Sequence, residues 1–141
     1  MIQINEFTTD TMPIFTTMTL AYDQRQKSRL KACLDNGDEA AIILPRGSRL
    51  KDGDILKTEN GSLVRVIAAQ EKVSVVYSSD RFLLMKACYH LGNRHTLVQI
   101  DTRFLRYQSD HVLDKMMLQL GLEVVAETAS FEPEAGAYSH H

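Results

Sequence analysis

Apolar positions in the first seventy residues come in short runs of strand length, and turn-forming residues separate many of them. The runs are IQINEF, TTMTLAY, SRLKACL, EAAIILP and SLVRVIAA. Asp35-Asn36-Gly37-Asp38, Pro45-Arg46-Gly47, Asp52-Gly53 and Asn60-Gly61 supply the positive-φ positions that tight turns require. The pattern predicts a mainly-β N-terminal domain over residues 1–70. Its stretch YDQRQKSR alternates so that, as a strand, Asp23, Arg25, Lys27 and Arg29 share one face, with Tyr22, Gln24, Gln26 and Ser28 on the other. Neither is a core face, which predicts an edge strand. Arg25, Lys27 and Arg29 are then a candidate partner surface, the alternative being a merely solvated outer face.

From about Glu71 the period changes. VSVVYS is short and β-branched. SSDRFLLMKACYHLGN has helical spacing, with Ser79 or Asp80 as N-cap and Gly92 as the stop. TLVQID and RFLRYQ read as two strands with almost no linker. Ser109 or Asp110 caps a second helix, SDHVLDKMMLQLG, whose Leu113, Met116, Met117 and Leu120 form one stripe and which Gly121 ends before the strand LEVVAETASF. Strand, helix, strand, strand, helix, strand is the order of the α+β ferredoxin-like (βαββαβ) fold. Residues 71–141 are therefore expected to form such a domain, followed by a short histidine-containing tail. Its core is thin, and dimerisation would help it.

Composition narrows the picture. The 141 residues, 44% hydrophobic and 24% charged, suit one domain or two, so the change of period rather than length argues for two. Lys plus Arg number 16 against 18 Asp plus Glu, which lacks the positive excess expected of a duplex-binding protein. MIQINEFTTD has neither a basic start nor a signal-length apolar run, and nowhere do 18 apolar residues stand together. A soluble, cytoplasmic protein with no membrane segment is expected. Cys33 and Cys88 fall in different predicted domains and are expected to be small buried hydrophobes rather than a disulfide. No CxxC motif occurs, which excludes a thiolate zinc cage within one chain.

All five histidines lie in the second half. His90, on the last turn of the first helix and off the Leu84, Cys88, Leu91 stripe, reads as a capping or partly exposed structural residue. His95 lies beyond Gly92, where a turn presents its side chain from a rigid corner. His111 opens the second helix, either as solvated surface or as a ligand oriented by Asp110 or Asp114. His140 and His141 are the start of a metal-binding tail, a trimmed tag or a disordered end. Without HxH, HExxH or a cysteine cluster, few imidazoles converge in one chain, whereas a two-fold axis presents any nearby histidine twice. Imidazole suits nickel, copper and zinc, and protons compete for it around the ordinary histidine value of about 6.5.

ACYHLGNRH (87–95), LRYQSDHVLDKM (105–116) and FEPEAGAY (131–138) resemble the signature stretches of the urease accessory nickel metallochaperone family. RQKSR (25–29) and ILPRGSRLKDGDIL (43–56) are similar to its N-terminal half. The resemblance implies an N-terminal β domain of peptide-binding type and a C-terminal ferredoxin-like domain that binds metal and forms a homodimer. It implies no enzymatic activity. Ni2+ is the implied cargo, with Cu2+ or Zn2+ also able to bind. The implied partners are the urease apoprotein and its accessory proteins, including a GTPase, with no nucleic acid among them. His95 matches the histidine that binds nickel across the dimer interface, and His111 matches a secondary metal position. Two departures remove ligands: Ser109 stands where relatives often carry histidine, and the tail stops at His140 and His141. Few metal ions per dimer are expected, centred on the His95 pair, with His111 and His140 as weaker contributors.

Two other readings are compatible with the element order and the turn residues. Asn93 and Arg94 in a turn resemble acylphosphatase-type phosphate handling, although the turn lacks a glycine-rich cradle of backbone donors. RNA-recognition modules share the βαββαβ order, but TLVQID and VSVVYS lack the paired aromatics that base stacking needs.

Overall fold

Gly37, Gly47, Gly53 and Gly61 all adopt positive φ in the computed structural model, which describes residues 1–135. A side chain is disfavoured there, so these glycines fix the turns of the N-terminal half. The strands are β1 (Ile2–Phe7), β2 (Thr16–Leu20), β3 (Arg29–Cys33), β4 (Glu39–Ile43), β5 (Ile55–Thr58) and β6 (Leu63–Ala68). They form one sheet in the order β2-β6-β5-β1-β4-β3, parallel at β1/β4 and β2/β6 and antiparallel elsewhere. Alternation along the strands turns Ile4, Met18, Leu20, Ile42, Leu56, Val64 and Val66 into one buried core. This unit is Met1–Ala69, and a second compact unit begins at Gln70.

Asp35, just past β3, joins the two ends of that strand order. Its Oδ2 accepts from the Thr17 and Thr19 hydroxyls of β2 at 2.6 and 2.8 Å, and its N–H donates to the Thr17 carbonyl at 2.8 Å. The sheet therefore curls toward closure, which occupies part of an otherwise open edge. Burial pushes the Asp35 carboxyl up, but the hydrogen bonds from Thr17 and Thr19 outweigh it and hold the group below its ordinary value.

Three expectations for this half are corrected. The first part of YDQRQKSR is not an edge strand: Tyr22–Arg25 is a one-turn helix, α1, because Gln24 Oε1 accepts the Ala21 N–H and Arg25 N–H returns to the Ala21 carbonyl, and only Arg29 enters the terminal strand β3. Consequently Arg25, Lys27 and Arg29 do not share one strand face. Arg25 is 2% exposed, with its Nε donating to the Leu20 carbonyl at 3.2 Å, while Lys27 and Arg29 are exposed. Ile55–Thr58 is a strand the pattern did not announce. Cys33 is exposed rather than buried; both cysteines are free.

The second unit contains β7 (Gln70–Tyr77), α2 (Arg81–Asn93), β8 (Gln99–Ile100), β9 (Phe104–Gln108), α3 (His111–Gln119) and β10 (Val124–Ser130). Its sheet runs β10-β7-β9-β8, with every neighbouring pair antiparallel. Asp80, rather than Ser79, caps α2, and Asp110, rather than Ser109, caps α3; each carboxylate accepts two backbone N–H groups. Leu84, Ala87 and Leu91 of α2 and Leu113 and Met117 of α3 pack in one core with Val76, Leu105 and Tyr107. The buried Tyr107 hydroxyl donates to Asp114 Oδ1 at 2.6 Å, tying β9 to α3. Burial, and then the Asp114 carboxylate, push the Tyr107 phenol above its ordinary value. Among the described residues, no helix is long and apolar enough to cross a membrane.

Candidate metal centre

His95 occupies an unusual backbone position. α2 does not stop at Gly92 but continues to Asn93, with Arg94 as its C-cap. The His95 N–H then donates to the Gly92 carbonyl at 2.9 Å and the Thr96 N–H to the Leu91 carbonyl at 3.1 Å. This pair of bonds is the Schellman helix ending, whose left-handed residue is usually glycine. Here that residue is His95, with φ 58.

α3 ends with the same motif in its ordinary form. Gly121, at φ 92, donates to the Leu118 carbonyl at 3.0 Å, and Leu122 donates to Met117 at 3.1 Å. One domain thus closes two helices identically, with glycine at one end and histidine at the other. A side chain in the left-handed region costs on the order of 1 kcal/mol. In return, an exposed imidazole projects from a backbone fixed by two hydrogen bonds.

The other candidates are placed differently. His90 is exposed on the last turn of α2, edge-on to Tyr89 with ring centroids 5.3 Å apart. His111 is the first residue of α3 and exposed. The carboxylates considered as its orienters are engaged with the fold: Asp110 accepts the Val112 and Leu113 N–H groups, and Asp114 accepts from Tyr107. His140 and His141 lie outside the described residues. Asn93 and Arg94 are exposed at the helix end. Arg25, Lys27 and Arg29 belong to the other unit. Among the described residues, no three His, Cys, Asp or Glu side chains gather as a metal-holding group.

Sequence reasoning missed two features around His95. The segment leading to the tail is fastened beside the chain that leaves His95: Glu132 N–H donates to Gln99 Oε1 at 3.0 Å and Glu134 N–H to the Val98 carbonyl at 2.8 Å. Phe131, fully buried, anchors it, and an isolated aromatic after a strand was the available signal. The second is an exposed apolar stripe on α2, Phe82, Met85 and Tyr89, at 60%, 62% and 66% exposure. Its i, i+3, i+7 spacing is present in the sequence, but α2 carries a second apolar stripe, Leu84, Ala87 and Leu91, and spacing alone does not say which one is buried. Beside it a cavity of about 360 Å³ is lined by Leu84, Met85, Cys88, Ile100 and Phe104 among others. Burial there pushes the Cys88 thiol above its ordinary value, which favours the neutral form.

Comparison with known proteins bears on both units. Residues 7–69 match the family model described as UreE urease accessory protein, N-terminal domain, and residues 71–141 match the corresponding C-terminal domain. The chain is 55% identical over 119 residues to the Urease accessory protein UreE of Vibrio parahaemolyticus, covering 84% of this chain and 75% of that protein. It is 51% identical over 138 residues to the protein of the same name from Alkalilimnicola ehrlichii, covering 98% and 85%. Against the Escherichia coli O157:H7 protein of that name, identity is 55% over 124 residues, covering 87% and 80%.

Proposed function

Since this chain belongs to the UreE family of urease accessory proteins, we propose that it is a nickel metallochaperone for urease maturation that holds its metal between two subunits. It is an accessory protein rather than an enzyme. The observation that carries the reading is the exposed imidazole of His95 at the left-handed position of a Schellman ending. A fold that prefers glycine at this position supports a role for the histidine beyond the fold.

One imidazole supplies one donor, and nickel takes several. A two-fold homodimer through the C-terminal domain doubles His95, and the domain's strand order, fourth, first, third, second, supports its assignment as ferredoxin-like. His111 and the tail's His140 act as secondary donors. Glu134 is held on Val98, three residues beyond His95, and His140 follows six residues later. Six residues extend at most about 20 Å, enough for a tail imidazole to enter and leave a site near His95. Such exchange of ligands suits a carrier, which must release its cargo. The imidazole donors also accept Cu2+ or Zn2+, so preference for Ni2+ comes from geometry and partners.

The N-terminal domain is the partner-binding module. Lys27 and Arg29, two of its exposed cations, are the proposed contact residues, and Arg25 holds the turn that presents them. Its partners are the urease apoprotein and accessory proteins including a GTPase, in the cytoplasm. Urease activation at limiting nickel tests the reading: His95→Ala is expected to slow it severalfold, with excess nickel restoring the rate. Unchanged activation at limiting nickel would contradict the assignment.

A further inference from the structure

Among the described residues, neither backbone conformation nor packing requires glycine at position 92. The other described glycines, Gly37, Gly47, Gly53, Gly61 and Gly121, all have positive φ; Gly92 does not. Among the described residues, and apart from its own helix turn and chain neighbours, a Cβ built on it would meet no atom within 4 Å. It is the next-to-last residue of α2, still helical, where alanine would be the better helix former, and the left-handed position of this helix end falls three residues later, at His95. A glycine that weakens its helix without relieving any internal contact fits close approach by something outside the chain.

Its location says what approaches. Helical spacing puts Gly92 in line with Phe82, Met85 and Tyr89, the exposed apolar stripe. Its carbonyl also accepts the His95 N–H, so it belongs to the turn on which that histidine is mounted. We propose that Gly92 is a close-approach position, whose missing side chain lets the end of α2 from a second copy of this chain come near enough for both His95 imidazoles to reach one nickel ion. The proposal rests on the reading of His95 as a ligand shared by two copies. An apolar stripe leading into that ligand is self-complementary, and a two-fold pairing places both copies of Gly92 at the contact.

Gly92→Ala and Gly92→Leu test it by thermal unfolding, sedimentation equilibrium and nickel titration. The Cβ of either variant meets nothing packed against it among the described residues, so, compared at dilutions where both are monomeric, the C-terminal domain of Gly92→Ala should melt at or above the parent's temperature. The dimer dissociation constant should rise at least tenfold for Ala and further for Leu, and nickel affinity should fall with it. Parent-like dimerisation and nickel binding in both variants would overturn the proposal. So would weakened nickel binding with dimerisation intact, because Gly92 would then act only within its own chain. The reading beneath it fails separately, if His95→Ala in the parent leaves nickel binding unimpaired.

Discussion

On the proposed reading, His95 is asked for two things at once. The helix ending wants a residue without Cβ, as Gly121 provides at the end of α3, and a metal wants an imidazole. His95→Gly is therefore expected to leave C-terminal stability unchanged or to raise it by up to about 1 kcal/mol, while removing the tight nickel site. Chemical denaturation and calorimetry check the two halves of that statement. A loss of more than about 1 kcal/mol would mean the imidazole itself holds the fold. The sequence made His95 legible as a histidine just beyond a helix, but assigned the stop to Gly92. Glycine is the usual occupant of a left-handed ending, and nothing in HLGNRH says which residue takes that conformation. Only the hydrogen bonds of His95 and Thr96 decide it.

Between elements, two side chains act as clasps, and neither was read as one. Asp35 stands in a stretch whose composition signals only a turn, yet its carboxylate and N–H bond β2 from the far end of the strand order. Asp35→Ala should destabilise the N-terminal unit by about 1–2 kcal/mol at neutral pH. Because the folded carboxyl is held below its ordinary value of about 3.9, its contribution is present above that pH and lost as pH falls through the folded value. Acid unfolding of Asp35→Asn should accordingly begin from lower stability and show a shallower decline.

Tyr107 gives the opposite sign. Its folded value is raised, so its contribution is complete below about pH 10 and lost as pH rises. Tyr107→Phe should flatten the alkaline side of the C-terminal unit's stability curve; an unchanged slope above pH 10 would count against the Tyr107–Asp114 clasp. Strands and helices with clear periods were legible, down to the stripe of Leu113, Met116, Met117 and Leu120. α1 was not, since alternation of polar residues cannot distinguish an edge strand from a turn whose Gln24 satisfies the backbone locally.

At the scale of the molecule, the proposed division of labour between the two units makes a separable prediction. Reversing the charges of the exposed Lys27 and Arg29 should weaken co-purification with urease and its accessory proteins while leaving nickel affinity within error of the parent. Equal loss of both would argue against separate roles. The change of hydrophobic period near residue 70 was visible in the sequence because strand and helix grammars differ. The proposed sharing of a ligand between copies was not, since symmetry leaves no mark on the spacing of one chain. It entered through resemblance and through the shortage of donors around a single His95. Nickel titration with simultaneous measurement of mass tests that central claim most directly. A shared ligand gives a tightest site holding one nickel ion per two chains, lost in His95→Ala; one tight nickel ion in each isolated chain, or a tight site indifferent to His95→Ala, would contradict it.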